Sequence, residues 1–133
     1  KNAQTRFLQI GLAKGAAPKA TGKDKTSVIV ELPTDRPGTL LEMLEQFAVR
    51  GVNLSRIESR PIGDQLGRYR FNIDIEGHIE DAAVADALKG LHRFSPKVIF
   101  LGSYARADKK KSVHTGNNTN AAFAAAEKWI AKL

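Results

Sequence analysis

Two segments of the chain alternate apolar and polar side chains with the period of two that is typical of a half-buried β-strand. The first covers residues 26–32, and its apolar face consists of Val28, Val30 and Leu32. The second covers residues 68–75, and its apolar face consists of Tyr69, Phe71, Ile73 and Ile75. Two less regular stretches, residues 52–60 and 97–101, also read as strands, and Pro61 with the glycines that follow it predicts a hairpin loop.

Helical spacing appears twice between these strands. In the first predicted helix, which ends at Gly51, the apolar stripe consists of Leu40, Leu41, Leu44, Phe47 and Ala48. In the second, over residues 79–91, it consists of Val84, Ala87, Leu88 and Leu91. The element order is therefore βαββαβ, which predicts an α+β, ferredoxin-like fold: a four-stranded antiparallel sheet with two helices on one face. Because so small a domain leaves a sheet face and edges uncovered, we expect it to associate with a second copy.

The segments outside this pattern divide the chain further. Residues 14–24 have the small side chains of a linker, and they separate residues 1–13 from the predicted domain at residues 25–104. Residues 105–133 are predicted to be a flexible tail that ends in an amphipathic helix. The apolar stripe of that helix consists of Phe123, Ala126, Ile130 and Leu133, with Trp129 beside it.

Charge and composition narrow the functional classes. The net charge is +7, but residues 26–104 carry nine basic and eleven acidic side chains, so the basic excess lies in the flanks and does not favour nucleic-acid binding by the domain. The chain has no cysteine, no apolar run long enough to cross a membrane and no signal peptide, which predicts a cytoplasmic protein. The three histidines, His78, His92 and His114, do not have the spacing of a metal site, so we interpret them as surface or loop residues and predict no metal or cofactor.

The turn at Pro37 and Gly38 has the features of a carboxylate site. It leads directly into a predicted helix, whose first N–H groups lack internal partners and attract anions. Gly38 lets a ligand approach the backbone, while Leu40 and Leu41 supply an apolar wall, a combination that suits a free amino acid. Taken alone, a Pro-Gly pair more often marks only the start of a helix and binds no ligand.

Two longer segments resemble a known family. Residues 35–41 and 52–61 are similar to the ACT regulatory domain of prephenate dehydratases, whose hallmarks are a Gly-Ala-Leu-Leu and a Glu-Ser-Arg-Pro segment. The second segment matches completely at residues 58–61, and the first has Thr39 in place of alanine. Upstream, Thr5, Arg6 and Phe7 resemble the Thr-Arg-Phe motif near the end of the catalytic domain of that enzyme.

The resemblance implies an enzyme of phenylalanine biosynthesis that converts prephenate to phenylpyruvate, water and carbon dioxide, and that is inhibited when L-phenylalanine binds the ACT domain. Residues 1–13 would then end the catalytic domain, and Thr5 and Arg6 would be remnants of its catalytic site. Because most of the catalytic domain is missing, we expect this chain alone to lack dehydratase activity.

The predicted ligand site combines the residue chemistry with the resemblance. Gly38, Thr39 and the N–H groups after them bind the carboxylate, Leu40, Leu41 and Leu54 form the apolar wall, and Asn53 offers its side-chain oxygen to the ammonium group. In the family the ligand lies between two ACT domains, so Asn53 is expected to serve the neighbouring copy of a homodimer or higher oligomer. Glu58 and Arg60 share one strand face and are expected to pair, and Ser59 points the other way. Thr39 leaves tyrosine and tryptophan open as alternatives to phenylalanine.

Two other functions compete with this interpretation. The RNA recognition motif has the same element order, and Tyr69 and Phe71 have its stacking spacing. These two side chains share their face with Ile73 and Ile75, however, which indicates a core face rather than an RNA-binding face. A free-standing ACT-type sensor is the second alternative; the Thr5-Arg6-Phe7 segment argues against it, and the sequence upstream of Lys1 would decide.

Overall fold

The computed structural model of the protein describes residues 17–33, 37–63 and 68–133. Six elements form the domain: β1 (Asp24–Glu31), α1 (Thr39–Ala48), β2 (Leu54–Pro61), β3 (Tyr69–Glu76), α2 (Ala82–Phe94) and β4 (Lys97–Ala105). A short 3₁₀ turn, Gly116–Asn118, and a third helix, α3 (Asn120–Ala131), follow them. The predicted order βαββαβ is confirmed.

The four strands form one antiparallel sheet in the order β2-β3-β1-β4. Both helices cover the same face, because the core joins alternate residues of β1 and β3 to the inner stripes of α1 and α2. The buried apolar residues are Val28, Val30, Met43, Phe47, Val52, Phe71, Ile73, Ile75, Ala83, Val84, Ala87 and Leu91. Phe71 therefore lies under the helices with Ile73 and Ile75, on the core face that the alternation predicted.

The predicted apolar stripe of α1 was correct for Phe47, which is buried, and for Leu44, which packs against the core, but wrong for its other three members. The residues that face the sheet are Thr39, Met43 and Phe47, which follow each other at intervals of four. Leu40 is 43% exposed and Leu41 is 61% exposed, and Ala48 is also exposed. Leu40 and Leu41 were included in the stripe for their hydrophobicity, although the helix turns them away from the core. An apolar patch consequently remains uncovered at the start of α1.

Two further boundaries differ from the prediction. The second helix begins at Ala82 rather than at residue 79, because the backbone first makes a turn in which the Asp81 N–H donates to the His78 carbonyl at 2.8 Å. The last strand continues to Ala105, past a bulge at Leu101 and the small residues Gly102 and Ser103 that conceal it in the sequence.

Segments on either side of the domain contact it at one end. The Pro18 carbonyl lies 2.8 Å from Nε2 of His78, and the Ala20 N–H donates to the Glu80 carboxylate at 3.0 Å. His78 lies in a loop, as predicted, but its side chain is only 2% exposed, because the segment around Pro18 covers it. Residues 106–123 pack against the same end of the domain, and the division of the chain at residues 13, 24 and 104 stays a prediction.

Candidate functional site

Gly38 caps the N-terminus of α1 in a left-handed conformation, with φ 84° and ψ 1°. The first bond of the helix runs from the Glu42 N–H to the Gly38 carbonyl at 3.0 Å, so the preceding N–H groups of the first turn have no partner within the helix. Among the described residues, no atom lies within 4 Å of the position that a Cβ at Gly38 would take. The turn is therefore open to a ligand and carries the partial positive charge of the helix start.

The apolar wall beside this turn consists of Leu40 and Leu41, which the helix exposes. The Thr39 side chain, in contrast, is 9% exposed and begins the buried stripe of α1. Thr39 accordingly presents its backbone N–H at the helix start, while its side chain faces the interior of the domain.

The Asn53 side of the predicted site follows the C-terminus of α1. Gly51, with φ 63°, ends the helix, and the N–H groups of Gly51 and Val52 donate to the Ala48 and Phe47 carbonyls at 3.1 and 3.0 Å. This pair of bonds is the Schellman motif. The exposed Asn53 comes next, and its carbonyl accepts a hydrogen bond from the Glu76 N–H at 2.9 Å, which fixes its backbone to the end of β3.

The predicted pair on β2 is present. A carboxylate oxygen of Glu58 lies 2.5 Å from Nη2 of Arg60, and the other contacts Arg56. Arg56 was not predicted as a site residue, although the alternation of β2 places it on the same face as Glu58. Ser59 pairs with Phe71 in the strand register and so lies on the opposite face, as expected. Both carboxylate oxygens of Glu58 are therefore paired with guanidinium groups.

The structure brings only some of the predicted site residues together. Gly38 and Asn53 lie beyond opposite ends of α1, whose ten residues span about 15 Å. β2 runs antiparallel to β3, and its last residue, Pro61, pairs with Tyr69 at the start of β3. The Tyr69 carbonyl in turn accepts a hydrogen bond of 3.4 Å from the N–H of Leu32, which follows β1 and precedes the Gly38 turn. The end of β2 is therefore nearer that turn than its beginning is. Leu54 remains at the Asn53 end, half-buried and paired with Ile75. The predicted site residues of one chain therefore fall into two groups, which we call the Gly38 and Asn53 half-sites of the predicted site.

The remaining predictions concern catalysis and metals. Thr5 and Arg6 lie outside the described residues. Within residues 17–33, 37–63 and 68–133, no group of three or more His, Asp or Glu side chains is arranged to hold a metal ion. None of the helices in those same ranges combines the length and the hydrophobicity needed to cross a membrane.

Comparisons with known proteins agree with this geometry. The ACT domain family matches residues 26–93. Prephenate dehydratase from Amycolatopsis methanolica is 43% identical over all 133 residues, and the enzyme from Mycobacterium marinum is 52% identical over 103 residues, or 77% of this chain. The chain spans 43% and 32% of the lengths of these two curated relatives.

Solved structures give the same result. The crystal structure of prephenate dehydratase from Arthrobacter aurescens in complex with L-Phe is similar with a TM-score of 0.83 and 60% identity, over 89% of this chain and 39% of that one. The prephenate dehydratase from Streptococcus mutans has a TM-score of 0.55 and 40% identity, over 65% of this chain and 45% of that one.

Proposed function

The chain belongs to the ACT domain family, and from this premise we propose that it is the phenylalanine-sensing regulatory part of a prephenate dehydratase. The observation that carries the proposal is the similarity, at 60% identity, to a prephenate dehydratase in complex with L-Phe. The open, left-handed Gly38 at the start of α1 supports it, because the chain has a suitable carboxylate site at the position where the family resemblance requires one.

The proposed ligand contacts follow from the two half-sites. The N–H groups after Gly38 bind the carboxylate of L-phenylalanine, and the exposed Leu40 and Leu41 contact its ring. Asn53 of a neighbouring copy accepts a hydrogen bond from the ammonium group, and Leu54 of that copy extends the apolar wall. Thr39 contributes its N–H, since its hydroxyl side chain faces inward. Glu58, Ser59 and Arg60 lie in the second half of β2, toward the end of the sheet at which Gly38 begins α1.

The proposed regulation is a population shift. L-phenylalanine bound between two ACT domains favours one arrangement of the pair, by as much as its affinities for the two arrangements differ. The segment before β1 is suited to transmit that preference, because Pro18 and Ala20 are hydrogen-bonded to His78 and Glu80 of the domain. In the complete enzyme, Thr5 and Arg6 would belong to the catalytic site that converts prephenate to phenylpyruvate, and we assign this biosynthetic enzyme to the cytoplasm.

Calorimetric titration of the 133-residue chain with L-phenylalanine tests the proposal. We expect saturable binding of L-phenylalanine, weaker binding of L-tyrosine and L-tryptophan, and none of D-phenylalanine, whose ammonium group cannot reach Asn53 when its carboxylate and ring are in place. If circular dichroism shows that the chain is folded and no heat of binding is measured with any of the three L-amino acids, the sensor function is refuted. A separate assay should detect no phenylpyruvate formation from prephenate by this chain.

A further inference from the structure

The segment after β4 returns to the Asn53 half-site. We call residues 106–123 the C-terminal arm. Its 3₁₀ turn brings the Asn118 side chain against Gly51, so closely that a Cβ at Gly51 would lie 2.8 Å from Nδ2 of Asn118. Gly51 is the residue that ends α1 in the left-handed conformation, two positions before Asn53. The Asn118 amide therefore lies directly on the turn from which Asn53 projects.

A second contact of the arm is to Glu76, the residue that is hydrogen-bonded to the Asn53 backbone. Arg106 is 8% exposed, and its Nη1 donates to the Glu76 carboxylate at 3.0 Å. The backbone N–H of the same Glu76 donates to the Asn53 carbonyl. The end of β3 that holds the Asn53 backbone is thus itself held by the arm.

The arm is anchored to the domain along its length. The N–H and hydroxyl of Ser112 donate to the Gly22 and Asp24 carbonyls at 3.0 and 3.1 Å. Oδ1 of Asn120 accepts the Ala82 N–H at 2.8 Å and so satisfies the first N–H of α2. Phe123 then packs against the core between the sheet and the helices. With these anchors, the arm has the fixed geometry that a positioning role requires.

We propose that the C-terminal arm is part of the amino-acid site, with Asn118 as a residue that positions Asn53 for the ammonium group of the ligand. Asn118 acts through the Gly51 turn and does not itself contact the ligand. This inference rests on the proposed function, and it adds to that function a segment that lies outside the matched ACT region at residues 26–93.

The test is a titration of three variants with L-phenylalanine. Asn118→Ala removes the amide that lies on Gly51, and we expect about fivefold weaker binding with little change in the thermal midpoint of the free chain. Asn118→Asp keeps the shape of the side chain and should retain affinity within about twofold. Asn117→Ala is the matched control, because Asn117 is an exposed neighbour in the same 3₁₀ turn, and it should bind as the unmodified chain does.

A double-mutant cycle separates positioning from a general structural effect. In an Asn53→Ala background, Asn118→Ala should cause no further loss of affinity, since the side chain that it positions is already absent. If Asn118→Ala weakens binding equally in both backgrounds, or lowers only the thermal midpoint, the inference is wrong. If the unmodified chain binds L-phenylalanine and Asn118→Ala binds it equally well, the inference fails while the proposed function stands. If the unmodified chain does not bind, both fail.

Discussion

At Gly38, the described residues leave space for a side chain, but the backbone conformation is unfavourable for any residue other than glycine. A Cβ there would meet none of the described residues, but φ is +84°, a conformation that costs an L-residue about 1 kcal/mol. Stability and binding should therefore respond separately to substitution.

We expect Gly38→Ala to lower the free energy of unfolding by about 1 kcal/mol and to retain binding of L-phenylalanine. Gly38→Asp should have similar stability but no measurable binding, because its carboxylate occupies the positive helix start and repels that of the ligand. Urea denaturation and calorimetry measure the two effects. Unchanged affinity in Gly38→Asp would place the ligand elsewhere.

Thr39 decides whether the departure from the family motif changes the ligand. Because its side chain lies inward at the head of the buried stripe, Thr39→Ala should leave the affinity for L-phenylalanine within about twofold and the ranking of phenylalanine, tyrosine and tryptophan unchanged. Competition titrations with the three amino acids measure this ranking. A reversed ranking would mean that the hydroxyl reaches the ligand.

At the scale of the element, α1 separates residues that stabilise the fold from residues that are available for binding. Met43 is fully buried, so Met43→Ala should lower the free energy of unfolding by about 2–5 kcal/mol. Leu41→Ala should change it by no more than about 0.5 kcal/mol, yet weaken binding of L-phenylalanine. Ile130→Ala, an exposed apolar position on α3 outside both half-sites, is the control for binding. Equal stability losses for Met43 and Leu41 would contradict the observed orientation of the helix.

The same helix explains what could be predicted from the sequence. β1, β3 and α2 were found because most of their periodic apolar residues lie in the core, so burial and periodicity largely coincide. On α1, leucines that remain exposed are as apolar as core residues, and the pattern could not distinguish the two. His78 and Arg106 are buried by contacts with Pro18 and Glu76, which lie 60 and 30 residues away in the chain. Contacts between such distant residues leave no periodic pattern in the sequence, so they could not be predicted from it. The turn at Gly38 could be predicted because it depends on a local property, the absence of a Cβ at that residue.

At the scale of the whole molecule, the root of the C-terminal arm is sensitive to pH. Arg106 donates two hydrogen bonds of 2.8 Å to Asp108, and these hold the pKa of the Asp108 carboxyl far below its usual range. The same bonds raise the pKa of Arg106, which stays protonated.

Since the pKa of Asp108 is lower in the folded chain, its stabilising effect is present above the unfolded pKa of about 4 and is lost as the pH falls below that value. We expect the thermal midpoint of the unmodified chain to exceed that of Asp108→Asn at pH 6, and the difference to shrink steadily below about pH 4. Midpoints that differ by the same amount at every pH would show that the Arg106 contact does not anchor the arm.

Because Gly38 and Asn53 are separated by the length of α1, each proposed site is formed by residues from two chains. Gly38→Asp and Asn53→Ala should each impair both sites of a symmetric homodimer, because each site uses Gly38 of one copy and Asn53 of the other. In a mixed dimer, one site combines both defects and the other has neither. An equimolar mixture, unfolded and refolded together, should therefore regain about a quarter of the sites at full affinity. Calorimetric stoichiometry measures this recovery, with each refolded variant alone as the control. If no sites are regained while the unmodified chain binds, a single chain completes its own site, and Asn53 cannot serve the neighbouring copy.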